Sequence, residues 1–169
     1  MSDDIANNTG NDIGDAVLAA TMVIDSVGST SRRAALGEVA ANEIDRAERA
    51  QMTAAVRDQG GNVLEFTGDG AIALFPSSSA AISAAFALCA PHYRIGIAVG
   101  EVRRDGSAWT GAAMVAAARL ERRCPPGAVA CSALAVRTAS SAPAAITEPM
   151  LETSSEDAQS DDVVLRPLA

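Results

Sequence analysis

The sequence contains no lysine; all 13 of its basic residues are arginine. A P-loop is therefore excluded, because its lysine reaches the terminal phosphates of a bound nucleotide. Schiff-base chemistry at a lysine is excluded with it. The three cysteines, Cys89, Cys124 and Cys131, are odd in number and lack CxxC spacing. Neither a disulfide framework nor a zinc site is suggested, and they read as small buried hydrophobes. His92 is the single histidine; it sits beside Pro91, and no Ser–His–Asp set assembles around it, so it reads as structural. The formal charge of −8 argues against a broad nucleic-acid surface, which needs clustered positive charge, but not against one small phosphate pocket. No apolar run reaches membrane-span length, and the acidic, polar start carries no signal-peptide pattern. The expectation is a cytoplasmic protein with neither nucleic acid nor membrane as a partner.

What is present is a chain of 169 residues, 49% hydrophobic and 20% charged, the size and composition of one domain with a workable core. Residues 1–17 are expected to be a disordered acidic tail, and 18–169 the domain. Residues 20–26 read as a first strand, ending at Asp25. Residues 29–59 read as one long helix, capped by Ser29, Thr30 or Ser31 and stopped at Gly60-Gly61. Segments 62–66 and 71–75 read as the strands of a hairpin. An alanine-rich helix opens at 77–79 and runs to about 90, and 93–102 is an alternating strand. Residues 105–107 read as a loop, 111–122 as a third helix stopped by Pro125-Pro126, 129–132 as a short strand and 133–138 as a short helix. Residues 142–162 show little pattern, and 163–168 is a candidate last strand. The order β-α-β-β-α-β with C-terminal additions predicts an α+β, ferredoxin-like fold, an antiparallel sheet with helices on one face.

Two stretches carry chemistry. In FTGDG (66–70), Asp69 lies between two glycines at the tip of the hairpin; such an aspartate is a good turn residue, and it also presents a carboxylate. In VIDSVGST (23–30), an acidic residue ends a strand and a Gly-Ser-Thr turn opens a helix. In the ferredoxin-like order the first strand pairs next to the hairpin, which brings Asp25 and Asp69 to adjacent strand ends. Two carboxylates aimed at one point repel unless protonated or bridged by a cation. A few hard oxygen ligands suit Mg²⁺, which keeps waters and takes other ligands from substrate phosphates. The helix start at Gly28, Ser29 and Thr30 exposes backbone N–H groups, a seat for phosphate. Residue chemistry alone suggests a metal–triphosphate site at Asp25, Asp69 and residues 28–30.

Together with RIGIAVGEV (94–102) and GAAMVAAARLERRCPPGAVACS (111–132), these stretches, in this order and spacing, resemble the catalytic domain of class III adenylyl and guanylyl cyclases. The resemblance runs over about residues 20–136. It implies that Asp25 and Asp69, with the backbone carbonyl of Ser26, hold two Mg²⁺ or Mn²⁺ ions against GTP or ATP. It also implies that one ion assists attack of the ribose 3′-hydroxyl on the α-phosphate, while the other neutralises the polyphosphate and the departing pyrophosphate. The implied assembly is a head-to-tail homodimer, or a heterodimer with another cyclase domain. One subunit gives the metals, and the other gives the base-reading and transition-state residues.

The second half of that site departs from the family pattern. Three residues before Gly68, where adenylyl cyclases place lysine, stands Glu65, the residue type of guanylyl cyclases. Its carboxylate can accept from the N1–H and 2-amino groups of guanine and does not complement N1 of adenine; it is equally an ordinary polar strand residue. The second base-reading position is Ala108, which offers no hydrogen bond. In the pattern G-x-x-V-N-x-A-A-R, mapped onto 111–119, the arginine is kept as Arg119 and the asparagine is replaced by Val115. Loss of one such donor typically costs about 10²–10³ in rate. Arg119 also reads as a helix-surface charge near Glu121, Arg122 and Arg123. The family's further phosphate-binding lysine has no counterpart, and Arg166 is a candidate substitute. The expectation is a nucleotide–metal site that outlasts efficient cyclisation, GTP-leaning where active. A genuine slow homodimeric cyclase, the metal-supplying half of a heterodimer and a purely structural domain are the alternatives.

Overall fold

The computed structural model describes residues 16–150 and 161–168. The acidic tail expected at 1–17 lies outside them except for its last two residues, and Val17 already opens the first strand. The elements in chain order are β1 Val17–Ser26, α1 Ser29–Leu36, α2 Glu38–Asp58, β2 Asn62–Thr67, β3 Gly70–Phe75, α3 Ser78–Leu88, β4 Tyr93–Asp105, β5 Ala108–Thr110, α4 Ala112–Arg123, β6 Ala128–Cys131, α5 Ala133–Thr138, β7 Ala145–Pro149 and β8 Val163–Pro167.

The strands form one sheet in the order β2-β3-β1-β4-β6-β8-β7, with β5 hairpinned onto β4. The first four strands pair antiparallel throughout, which is the ferredoxin-like core expected from the element order. β6 then joins β4 in parallel, and β8 and β7 extend the sheet antiparallel. No helix among the described residues is long and apolar enough to cross a membrane.

β1 explains the layering. Its residues from Ala19 to Ile24 are all buried, and a strand that is apolar without alternation has both faces covered. On one face Ala20, Met22 and Ile24 join Met52 and Val56 of α2 and Ile82 and Ala85 of α3. On the other, Val23 joins Ala117 and Leu120 of α4. Helices therefore cover both faces rather than one, which corrects the expectation: α4 supplies the second layer.

The long helix expected at 29–59 is two helices. Gly37, with φ 79 and ψ 166, takes a conformation that costs glycine little and other residues much. The two helices are then laced together by Arg33, which donates to Glu38, Asn42 and Asp45, and by Arg32, which donates to Asp45 and Glu48. The residue capping α1 is Gly28 rather than a serine or threonine, and no side chain bonds its first turn. Two short strands were not expected: β5, beyond the 105–107 turn, and β7, inside the stretch read as patternless. All three cysteines are free; Cys124 and Cys131 are buried and Cys89 is half-buried.

Tyr93, the only tyrosine, opens β4 at 2% exposure, with its hydroxyl unpartnered. His92 packs against its ring, with centroids 4.2 Å apart, and places Nε2 3.6 Å from the buried Glu48. Burial, and then the Glu48 carboxylate, push the Tyr93 phenol up to about 12, against the pull of Arg32. The unfolded chain ionises near its ordinary value of about 10, so stability is intact below that pH and is lost as pH rises towards 12. A spectrophotometric titration of tyrosinate reads this one residue. It should give a midpoint near 12 in the folded protein; a midpoint near 10 would contradict the burial.

Candidate functional site

The β1–β3 register runs to the pair Ile24↔Ala71. The next residues are Asp25 on one strand and Gly70 on the other, with Asp69 in the turn. A Cβ at Gly70 would lie 2.1 Å from the carbonyl oxygen of Ile24, so only glycine lets the turn close onto the end of β1. The FTGDG stretch is therefore a hairpin tip held against the strand that carries Asp25.

The two carboxylates turn in different directions from that shared end. Asp25 is in register with Arg94 of β4 and accepts from its guanidinium at 2.5 Å. The same arginine places Nε 3.3 Å from Glu121 of α4. The hydrogen bond to Asp25 holds Arg94 above its ordinary value, and Glu121 and Asp25 add to this against burial. Burial, with the Asp25 charge behind it, pushes the Glu121 carboxyl up, while Arg94 and Arg122 pull it back. Arg94 was part of the RIGIAVGEV stretch but had no role assigned; its register with Asp25 is the signal that reveals it.

Asp69 instead opens onto a cavity of about 520 Å³ that also takes in Ser29 and Thr30 of α1, Asp45, Arg46 and Arg49 of α2, and Gly68. Asp25 does not line it. Because no side chain caps α1, its first-turn N–H groups remain available beside Ser29 and Thr30, as a phosphate seat requires. Ser26 is buried at 3% and its hydroxyl has no partner. No group of three or more His, Cys, Asp or Glu converges among the described residues. The donors at this end are two carboxylates and a strand-end serine. That oxygen-only set fits a hard divalent cation that draws its remaining ligands from water and phosphate; it does not fit a site closed by protein alone.

A bulge re-aims Glu65. Val63 pairs with Ala73, but Glu65 pairs with Ile72, a register shift of one residue. An unbroken strand would keep Glu65 on the face of Val63, which packs against the core under α2 and α3; the extra residue moves it across. Glu65 and Ala108 then line one cavity of about 160 Å³, with Ser107, Trp109 and Met114. The two expected base-reading positions thus line one cavity within one chain, and Glu65 also lines a second cavity of about 320 Å³ with Thr53, Val56 and Arg57 of α2. Sequence reasoning missed Ser107 and Trp109, which flank Ala108 in that cavity.

Val115 and Arg119 stand one helical turn apart on α4 and both are exposed, Val115 at 56%, while Ala113, Ala117, Leu120 and Glu121 face inward. Neither lines the cavity that holds Asp69. Arg166 of β8 places Nε 3.5 Å from Glu148 of β7, at the far side of the sheet from the β2–β3 hairpin.

Comparison with solved structures gives this architecture a context. An adenylate/guanylate cyclase/hydrolase from Silicibacter pomeroyi superposes with a TM-score of 0.74 at 24% identity, covering 92% of this chain and 99% of that one. The guanylyl cyclase domain of the RhoGC fusion protein from Blastocladiella emersonii gives 0.75 at 13% identity, over 90% and 97%. The adenylyl cyclase CyaB from P. aeruginosa gives 0.72 at 13% identity, over 92% and 97%. The chain has the cyclase catalytic-domain fold. No protein-family model matches the sequence, and none of the curated proteins matches it.

The cyclase-fold hairpin makes one firm steric demand. Gly70→Ala drives a methyl into the Ile24 carbonyl, a backbone atom that cannot swing away. We expect a loss of about 1–3 kcal/mol, read as a lowered urea midpoint with unchanged slope. An unchanged midpoint would contradict the close approach.

Proposed function

We propose that the chain is a class III nucleotide cyclase-like domain that binds a purine nucleoside triphosphate with two Mg²⁺ or Mn²⁺ ions, prefers GTP, and cyclises it weakly. The observation that carries this reading is the meeting of the Asp25 end of β1 with the Gly68-Asp69-Gly70 turn, beside an uncapped α1, in a chain of cyclase fold. Family-like motifs and the paired base-reading positions support it.

Each group has an assigned task. Asp25, Asp69 and the Ser26 carbonyl hold the ions, which when bound offset the charge of the polyphosphate and lower the pKa of the attacking hydroxyl. Residues 28–30 donate backbone N–H groups to the phosphates. Glu65 accepts from the N1–H and 2-amino edge of guanine, and Ala108 adds contact without a hydrogen bond. Arg119 donates to charge that develops on the α-phosphate. Val115, at the position of a second donor, donates nothing.

Arg119 and Val115 lie on an exposed helix face away from the Asp69 cavity, so a second subunit completes the site. The Blastocladiella emersonii guanylyl cyclase domain is a non-canonical dimer; the head-to-tail dimer assigned here rests on the placement of Val115 and Arg119 away from the Asp69 cavity. The exposed Val115 favours a heterodimeric variant as the second reading. There a fuller cyclase domain gives the missing donor, and only the site built on this chain's aspartates turns over.

The test is product formation. The purified chain, concentrated and incubated with GTP or ATP and Mn²⁺ or Mg²⁺, should yield slow cyclic GMP by mass spectrometry, less cyclic AMP, and neither in Asp69→Ala. Val115→Asn should raise turnover by about 10²-fold. No gain in that variant would contradict assigning the deficit to the missing donor.

A further inference from the structure

The cavity that receives Asp69 is also lined by three arginines, Arg33, Arg46 and Arg49. Asn42, Asp45, Arg46 and Arg49 recur at the i, i+3, i+4 and i+7 spacing that puts them on one face of α2, and all four line this cavity with Arg33 of α1. The neighbouring stripe of α2, Ala41, Glu48, Met52 and Val56, is buried. The lining face is thus a separate polar surface built onto a helix that already has its core contacts.

The charges on that face are not equivalent. Arg33 is engaged by Glu38, Asn42 and Asp45. Asp45 is met by both Arg32 and Arg33, so its carboxylate is already offset. Arg49 donates to the Gly68 carbonyl at 2.6 Å and lies 5.2 Å over the Phe66 ring. That fixes it beside the Asp69 turn with most of its five N–H groups uncommitted. Arg46 is exposed and makes no ion pair or hydrogen bond among the described residues. An arginine of this kind, in a cavity with the helix start at Ser29 and Thr30, is a donor without an acceptor. Guanidinium forks match phosphate oxygens in a way that no other side chain does.

We infer that Arg46 and Arg49, with Arg33 behind them, form a polyphosphate-tail subsite. It binds the terminal phosphates of the triphosphate from the same subunit that carries Asp25 and Asp69. The inference rests on the nucleotide reading above for what is attached to those phosphates. It accounts for how a chain with no lysine meets the end of a triphosphate. It also predicts that a single subunit binds polyphosphate before any dimer forms.

The test is calorimetric titration of the full chain, in Mg²⁺, with inorganic tripolyphosphate, with GMP and with GTP. Arg46→Ala should weaken tripolyphosphate and GTP about tenfold and Arg46→Glu further, with Arg46→Lys recovering part of the loss and GMP unaffected. Arg137→Ala, an exposed arginine on α5, controls for general charge and should leave tripolyphosphate unchanged. Tripolyphosphate affinity that is the same in the wild type, Arg46→Ala and Arg46→Glu would overturn the subsite, whatever GTP does. If the Arg46 variants lose tripolyphosphate while GTP binds no tighter than tripolyphosphate and ignores Asp25→Ala, the subsite stands and the nucleotide reading falls.

Discussion

Strand β1 has no free side. It is hydrogen-bonded to β3 along one edge and β4 along the other, and it is covered by α2 and α3 on one face and α4 on the other. The groups gathered at its Asp25 end are positioned from it. Asp25 sits on the strand itself, and Asp69 is brought in by the β3 pairing. Arg94 faces Asp25 across the β4 pairing. Glu121, on the same helix as Val115 and Arg119, closes over Arg94. Two glycines set how near the neighbours come. Gly70 admits the Ile24 carbonyl, and Gly96 admits α4, where a Cβ would lie 2.1 Å from the Ala117 carbonyl. A buried strand of this kind tolerates no register slip, because one residue of slip would exchange its two faces. The site inherits that rigidity.

The electrostatics divide the site in two. On the α4 side Asp25, Arg94 and Glu121 form a chain of alternating sign, partly withdrawn from water. Burial raises the cost of any unpaired member, and each carboxylate of the chain has Arg94 as its counter-ion. On the α1–α2 side the cavity is open and arginine-rich within a protein of net charge −8. Local charge rather than total charge decides what a pocket attracts. The two halves meet at the β1–β3 end, where Asp25 belongs to the first and Asp69 opens onto the second.

Much of this was legible in the sequence. The Gly-Asp-Gly tip announced the hairpin, and the apolar run before Asp25 announced the central strand. The element order then gave the antiparallel core. The rest needed three dimensions. Gly37 broke the long helix, but a single glycine inside a helical pattern is usually tolerated. The second helical layer followed from β1 being buried on both faces, and the sequence run was read only as a strand. β5, of three residues, is too short for periodicity to register. The bulge at Leu64 moved Glu65 to the face of Ala108, and a bulge leaves no compositional trace. The pairing of Arg94 with Asp25 was not legible because 69 residues separate the two, and that of Arg49 with the Asp69 turn because a different element carries the turn.

The account turns on metal-dependent capture of the triphosphate at Asp25 and Asp69, and calorimetric binding of GTP tests it most directly. The wild-type chain should bind GTP in Mg²⁺ and lose most of that affinity in EDTA, and Asp25→Ala and Asp69→Ala should each remove the difference between the two conditions. Equal binding with and without the metal, unchanged in both variants, would contradict the account.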